Sequence, residues 1–269
     1  MVSVSDCDCI CGVSVSEREV IILKKIISIL ISIICALFAL TSNQSKQIFE
    51  TINSLIRKGE YENYVASDST GEFAYSELPE YTSEAYITIN NNEPFFAKSE
   101  WEDTYKFSEL DALGRCGEAV AIVGPETLAE EERGSIKDIK PSGWHTVRYD
   151  ELIGSESEPG YLFNRCHLIM YALLGQESNV KENLITGTRY MNVEGMLPNE
   201  IQIVNYIEET GNHVEYHVTP IFVESELVAR GVLMQARSIE DETFKLNVFA
   251  YNVQPQIVID YVTGESYAK

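Results

Sequence analysis

Several common catalytic signatures are absent from the chain. No G-x-S-x-G segment occurs, which excludes the usual serine-hydrolase nucleophile, and there is no glycine-rich loop of the kind that cradles nucleotide phosphates. H-E-x-x-H and paired C-x-x-C segments are also missing, which excludes the common zinc-protease and zinc-ribbon patterns. Histidine is scarce, with 4 residues in 269. Any acid–base chemistry that uses imidazole therefore has few side chains to draw on.

Basic side chains are also few. The chain has 20 Lys and Arg against 42 Asp and Glu, and its formal net charge is −22. Residues 42–269 keep 38 acidic and 17 basic side chains, a charge of −21, so the imbalance is not confined to one tail. An acidic surface repels nucleic acid at long range, so a protein that binds it would need a local positive strip. Four basic residues cluster in one part of the sequence: Arg148, Arg165, Lys181 and Arg189.

One long apolar run lies near the N-terminus. Residues 26–41, IISILISIICALFALT, carry no charge and directly follow Lys24 and Lys25. At about 1.5 Å per residue the run would span roughly 24 Å as a helix, somewhat less than a hydrocarbon core of about 30 Å. The pattern predicts a signal peptide or a transmembrane anchor, and the long polar front and weak cleavage pattern favour the anchor. The lysines on its N-terminal side predict that the rest of the chain lies outside the cell.

The domain organisation follows from this run. The sequence predicts a cytoplasmic tail (1–25), a transmembrane anchor or signal peptide (26–41), a stalk or linker (42–83) and a folded domain (84–269). An apolar content of 45% allows one sizeable core. We expect a cell-membrane protein with an extracellular C-terminal domain, or a secreted protein if the leader is cleaved. The membrane is a partner only through the N-terminal segment, and no protein partner is predicted.

The folded domain shows mostly period-two alternation, which is typical of strands. The stretch YITINNNEPFF from Tyr86 predicts a hairpin, residues 113–124 predict a buried strand, and GWHTVRYDEL predicts another strand. The strongest helix signal covers residues 198–211, with Pro198 at the start and Gly211 at the stop. Three alternating strands close the sequence. The predicted fold class is α+β with an antiparallel sheet.

One histidine lies in an apolar strand. In NRCHLI, Arg165 and His167 lie two apart on one face of the strand, with Cys166 between them. The loop and helix that follow carry polar residues in the order Asn183, Arg189, Asn192 and Glu200. A neutral imidazole can take a proton from water near pH 7, and an amide oxygen suits Mg²⁺, which keeps most of its waters. This order on strand, loop and helix is the layout of a one-metal phosphodiesterase.

The other histidines allow simpler interpretations. His213, Glu215 and His217 share a face of a later strand and could bind a metal, but a solvated strand face is the more common outcome. A single histidine in an apolar strand is itself often only a well-packed core residue. The site therefore depends on the ordered set and not on His167 alone.

The stretch NRCHLIMYALLG, followed by ENLITGTRYMN and a helix, resembles the Asp-Arg-Gly-His region of the DNA/RNA non-specific endonucleases, the ββα-metal or His-Me finger nucleases. It most resembles the membrane-anchored DNA-entry and secreted nucleases of Gram-positive bacteria. The similarity covers roughly residues 84–264 and includes LDALGRCG and NVQPQIVIDYVTGES. Two positions depart from the motif, because Asn164 replaces its aspartate and Cys166 its glycine.

The resemblance implies a role for each site residue. His167 would be the general base, and Asn192 would bind Mg²⁺ directly, with Mn²⁺ as an alternative. Glu200 would hold a metal-bound water. The catalytic set would also include Asn183, which orients the site, Arg165 as the motif arginine, and Arg189.

The resemblance also implies an activity. The chain would be a sugar-non-specific endonuclease that hydrolyses DNA, and RNA as well, outside the cell. An alternative from another class is a catalytically silent binding module at the cell surface that keeps the nuclease fold.

Only two cysteines, Cys116 and Cys166, follow the apolar run. Two thiols outside a membrane invite pairing, so the sequence predicts a disulfide between them. Two unpaired, buried thiols are the alternative.

Overall fold

The computed structural model describes residues 63–64, 73–96, 104–154 and 159–269. All of them belong to one compact unit, Glu62–Lys269. The predicted tail, the apolar run and most of the predicted linker lie outside the described residues. Within the described residues no helix is long and apolar enough to span a bilayer.

An antiparallel sheet forms most of the structure. The described residues form eleven strands: β1 (Asn63–Tyr64), β2 (Tyr86–Ile89), β3 (Tyr105–Phe107), β4 (Ala119–Val123), β5 (Phe163–His167), β6 (Leu184–Thr188), β7 (Val214–Ile221), β8 (Gly231–Ser238), β9 (Lys245–Tyr251), β10 (Ile257–Ile259) and β11 (Ser266–Ala268). Seven of these pair in the order β1-β2-β9-β8-β7-β4-β3, and only the β1–β2 pair is parallel. The three strands predicted at the end of the sequence are confirmed as β7, β8 and β9.

Two smaller elements complete the α+β fold. β5 and β6 form a separate antiparallel hairpin, and β10 pairs with β11. Two α-helices are present among the described residues, α1 (Tyr171–Leu174) and α2 (Leu197–Thr210), and the π-helical segment Met191–Met196 runs directly into α2. Pro198 lies in the first turn of α2, and Gly211 ends it in the left-handed conformation with φ 72°, as its position in the sequence predicts.

Both faces of the large sheet are buried. One face packs against α2 and the β5–β6 hairpin, with Val218, Met234 and Ile203 in the shared core. The other face is covered by the segment before β2, where Phe73 and Leu78 pack against a core built around Phe249. Phe73 and Leu78 lie in the stretch predicted as a stalk or linker (42–83) and pack on this core. Residues 61–82 are mostly polar, so their composition does not indicate this packing.

Two predicted elements take another form. YITINNNEPFF is not a hairpin, since β2 pairs with β9 and β1, and Asn90–Asn92 form a left-handed turn with φ of 50°, 52° and 64°. Asparagine tolerates this region better than most residues. GWHTVRYDEL is not a regular strand either, because its only ladder contact is the bridge between Arg148 and Tyr161.

The predicted disulfide does not form. Cys116 and Cys166 are both buried free thiols. The Cys116 thiol donates to the carbonyl oxygens of Lys181 and Leu184 at 3.4 and 3.2 Å, while Cys166 lies against Gly187 of β6. Burial raises the pKa of Cys116 to about 12 and also raises the pKa of Cys166. Both therefore behave as small core residues, which was the stated alternative.

A substitution at Gly187 tests the packing beneath the hairpin. An added Cβ would overlap the Cys166 sulfur and approach Met191 Cε to 2.6 Å. We expect Gly187→Ala to lower the free energy of unfolding by about 1–3 kcal/mol, measured by urea denaturation. Cys166→Ala removes the closest obstacle, so the double variant should lose less than the two single losses combined. Strict additivity would contradict this packing.

Candidate active site

His167 is the last residue of β5 and faces a single side-chain partner. It is 8% exposed, and its Nε2 lies 3.0 Å from Asn179 Oδ1. No hydrogen bond to Nδ1 occurs within the described ranges. Burial lowers the pKa of His167, the bond to Asn179 opposes that shift, and the positive charge of Arg133 adds to it. The imidazole is therefore neutral at pH 7 and keeps one nitrogen available as a proton acceptor.

Asn183 fixes the chain just beyond His167. Its side chain is fully buried, and Oδ1 accepts a hydrogen bond from the N–H of Ile169 at 2.9 Å. Nδ2 donates to the carbonyl oxygens of Ile169 and Ser178, each at 2.9 Å. All of these partners are backbone groups, so Asn183 positions the turn after β5 and does not reach a substrate.

Arg165 also has a positioning role. Its guanidinium donates from Nε to the Ile139 carbonyl at 2.5 Å and from Nη2 to the Lys137 carbonyl at 2.6 Å, and it lies 4.1 Å from the ring centroid of Trp144. Thr186, the cross-strand neighbour of Arg165, adds a hydrogen bond to the Ser142 carbonyl at 2.8 Å. The loop 137–144 is thus tied to the hairpin face that carries Arg165 and His167.

Asn192 lies in the π-helical segment, next to Met191. Met191 and Cys166 both lie against Gly187, so the π-helical segment begins beside the β5–β6 hairpin that carries His167. The Asn192 side chain is half-buried, and among the described residues nothing donates to its amide or accepts from it. An unpartnered amide oxygen is a suitable ligand for a hard cation.

Glu200 lies in the first turn of α2 and is 5% exposed. Its Oε1 is buried and has no hydrogen-bond partner within the described part of the chain, and burial raises its pKa to about 8. Its charge would act on the nearby Cys166 and Tyr216. A carboxyl group in this state lacks a positive partner, and a nearby cation would favour its ionised form. An amide oxygen such as that of Asn192 and a carboxylate such as that of Glu200 are both ligand types that a hard divalent cation binds.

Other residue types do not form a metal site. No group of three or more His, Cys, Asp and Glu with metal-binding geometry occurs in the described part of the chain. A site that uses amide and water ligands does not require such a group. His213 bonds Glu240 and Glu126 at 2.5 and 3.0 Å, and His217 bonds Glu215 and Glu118 at 3.0 and 3.3 Å. These imidazoles are held by carboxylates, and Glu215 is buried, so the face is not simply solvated.

The four basic residues that cluster in the sequence do not form one positive strip in the structure. Arg148 is paired with Asp150 at 2.9 Å, and Arg165 is held by carbonyl groups. Arg189 is half-buried, and its backbone N–H donates to the Leu162 carbonyl at 2.8 Å. Lys181 is exposed. The structure brings together His167, Asn183 and the hairpin that packs on Met191, but it gives Arg148 and Arg165 other partners.

The sequence did not point to two residues beside His167. Asn179 bonds the imidazole, and the charge of Arg133 reaches it. Arg133 is exposed, as are Lys137 and Lys140 on the loop that Arg165 ties down. Arg133 lies 34 positions before His167, and no spacing rule connects the two residues.

The pKa of His167 can be measured directly. In chelator-treated protein, the NMR titration of its ring should have a midpoint below the unperturbed value of about 6.5, because burial disfavours the charged ring. Arg133→Ala should move the midpoint upward, since a positive charge is removed, and Arg133→Lys should leave it nearly in place. A wild-type midpoint above 6.5 would show that the ring is not buried in this way.

The tie between Arg165 and the loop can be tested by limited proteolysis. Arg165→Lys keeps the charge but loses the two-pronged geometry. Hydrogen bonds from a charged group contribute roughly 1.5–3 kcal/mol, so tryptic cleavage after Lys137 should accelerate at least about tenfold. The control is Arg148→Lys, whose partner Asp150 is exposed. Equal cleavage of both variants would mean that Arg165 does not hold the loop.

Several solved structures are similar in fold to this unit. NucA from Streptococcus agalactiae with a bound magnesium ion has a TM-score of 0.62 at 23% identity, covering 72% of this chain and 93% of that protein. The metal-free form of the same protein gives 0.60. The Sda1 nuclease with a bound zinc ion gives a TM-score of 0.52 at 28% identity, covering 61% of this chain and 80% of that protein.

The match to one protein family agrees with the structural comparisons. A comparison with curated protein sequences finds no match. The family described as DNA/RNA non-specific endonuclease matches residues 95–240, which span β3 to β8 and include the hairpin, the π-helical segment and α2. This match covers more than half of the chain, and the chain belongs to the DNA/RNA non-specific endonuclease family.

Proposed function

We propose that the protein is a Mg²⁺-dependent endonuclease that hydrolyses phosphodiester bonds of DNA, and also of RNA, without base specificity. The observation that carries this proposal is that, among the residues the structure describes, the buried and neutral His167 has one ring nitrogen without a hydrogen bond and the Asn192 amide has no partner. Family membership supplies the reaction class. The proposed active-site unit is the β5–β6 hairpin with the helix that follows, the ββα-metal arrangement.

In this proposal His167 accepts the proton of the attacking water at Nδ1. Its low pKa keeps it neutral near pH 7, which a general base requires. Asn192 would hold the cation directly, and Glu200 would hold it through water. When bound, the cation neutralises charge on the phosphate and on the leaving oxygen. Asn183 positions the turn that carries the base.

The donor set favours magnesium. Amide and carboxylate oxygens are hard ligands that suit Mg²⁺, with Mn²⁺ as an alternative, whereas zinc sites usually contain His or Cys ligands. One structural relative was solved with magnesium and another with zinc, so the choice rests on the ligands of this chain.

The motif departures have limited effects in this proposal. Asn164 is half-buried in β5 and pairs with Gly187, so the base is oriented by Asn179 and not by a motif aspartate. Cys166 fills the space over Gly187 as a neutral thiol. Neither change removes the free nitrogen of His167 or the amide of Asn192.

Substrate would bind along the loop beside His167. Arg133, Lys137 and Lys140 are exposed there, but nearby carboxylates are exposed as well: Glu130, Glu131, Glu132 and Asp138. The net attraction for phosphate is small, so binding should be weak and should fall steeply with salt. We further propose that the domain acts outside the cell, tethered by residues 26–41 or released if that segment is cleaved.

Plasmid cleavage tests both the activity and the roles. Full-length protein in mild detergent should nick plasmid with Mg²⁺ and stop when chelator is added. His167→Ala should lower the rate by about 10²–10⁴ and leave the Mg²⁺ activation curve in place, while Asn192→Ala should move that curve to higher Mg²⁺. The acid limb of the rate, at or below about pH 6.5, should disappear in His167→Ala.

His145→Ala is the matched control, because His145 is exposed and bonds only the Thr263 carbonyl. It should cleave like the wild type. Intact plasmid at high protein concentration with Mg²⁺ would favour the catalytically silent module. Wild-type rates in His167→Ala would remove His167 from the mechanism.

A further inference from the structure

We infer that Asn179 and Gln176 form a positioning pair that fixes which ring nitrogen of His167 carries the proton, so that Nε2 is the donor and Nδ1 is the base. This inference rests on the proposed function for its catalytic meaning. Its structural part stands on a set of five hydrogen bonds that leads from His167 to the backbone of residues 131 and 132.

At the end of the hydrogen-bond series farthest from His167, the donor and acceptor of each bond are fixed. The Tyr171 hydroxyl donates to the Glu131 carbonyl at 3.0 Å, so its oxygen is left to accept. Gln176 Nε2 lies 2.9 Å from this hydroxyl and 3.2 Å from the Glu132 carbonyl. Both neighbours can only accept here, and therefore the NH₂ group of Gln176 must face them.

That orientation propagates to the histidine. With its NH₂ group committed, Gln176 presents Oε1 to Asn179, whose Nδ2 donates to it at 2.9 Å. Asn179 must then present Oδ1 to His167, 3.0 Å from Nε2. An amide oxygen can only accept, so Nε2 carries the hydrogen and the lone pair of the neutral ring is on Nδ1.

The same bond also serves the protonated ring. When Nδ1 takes a proton, Nε2–H still donates to Asn179 Oδ1, so no partner has to change during proton transfer. The opposite tautomer would place the Nε2 lone pair against the Asn179 oxygen. A flipped Asn179 would place its own oxygen against Gln176 Oε1 unless Gln176 flipped as well, and a flipped Gln176 would place its oxygen against the Glu132 carbonyl.

The chain also links the base to the neighbouring loop. It ends on the carbonyl groups of Glu131 and Glu132, immediately before Arg133, whose charge reaches His167. The position of the base and the position of this exposed cation are therefore set by one hydrogen-bonded unit.

Nitrogen NMR of the histidine rings tests the inference. Full-length protein with ¹⁵N-labelled histidine has four ring systems, and His167→Ala identifies the relevant one. Above the pKa of His167, the wild type should show hydrogen on Nε2 and none on Nδ1. Hydrogen on Nδ1 would overturn the inference, whatever the enzyme activity.

Variants connect the tautomer to the rate. Asn179→Leu should lower kcat by roughly 10- to 100-fold, the range seen when a group that orients a functional imidazole is lost, with little change in KM. Asn179→Asp keeps the acceptor, so it should preserve the Nε2–H form and recover much of the rate. Because its carboxylate favours the charged ring, it should also move the acid limb to higher pH.

Gln176→Leu tests the polarity of the chain. It removes the group that orients Asn179, so the ring should become a mixture of the two neutral tautomers while His167 stays buried. Asn212→Asp adds the same charge as Asn179→Asp at the end of α2, where Asn212 bonds Tyr206 and Asp241, and should leave the acid limb unchanged.

The outcomes distinguish the proposed nuclease function from the positioning role of Asn179 and Gln176. Wild-type protein that shows Nε2–H but never cleaves nucleic acid would refute the proposed function and leave the hydrogen-bond chain intact. Active wild-type protein with hydrogen on Nδ1, or Asn179→Leu with wild-type kcat and tautomer, would refute the positioning role and leave the nuclease function standing.

Discussion

After β5 the chain turns away from the hairpin while its backbone N–H and carbonyl groups remain buried. The side chain of Asn183 provides hydrogen bonds to these groups. One amide pairs with both the N–H and the carbonyl of Ile169 and also reaches Ser178. Buried backbone groups left unpaired would be costly, so this turn has one favourable geometry. His167 stands at its start and Asn179 lies within it. The distance between base and orienting amide thus depends on a residue that never meets the substrate.

The arginines show how an acidic protein can act on a polyanion. Several of them pair with carboxylates at partly exposed positions: Arg115 with Asp111, Arg148 with Asp150, Arg230 with Glu226, and Arg237 with Glu93. Ion pairs near the surface add little stability, but they neutralise positive charge that could otherwise attract phosphate. Attraction for phosphate is then limited to short segments such as the loop held by Arg165. This arrangement favours repeated encounter and release over tight binding.

Elements with strong local signals could be predicted from the sequence. α2 has Pro198 and Gly211 at its ends, and β7 to β9 alternate clearly, so these elements form where the sequence predicts a helix and three strands. Contacts between distant segments could not be predicted. The packing of Phe73 on the second sheet face, the left-handed Asn90–Asn92 turn and the free thiols of Cys116 and Cys166 all depend on neighbours far along the chain. The order of polar residues led to the proposed site, but the contacts of Arg165 with the loop 137–144 and of Asn179 with His167 are visible only in the coordinates.

The histidines of this fold respond to acid in opposite directions. Burial lowers the pKa of His217, but hydrogen bonds to Glu118 and Glu215 outweigh it and raise the pKa. The bond to Glu240 raises the pKa of His213. A raised pKa contributes stability that is complete below about pH 6.5 and is lost as pH rises through the folded-state value. His167 has a lowered pKa, and protonating it opposes folding and silences the base. Mild acid therefore strengthens the contacts of His213 and His217 with their carboxylates in the same pH range in which it protonates the proposed base.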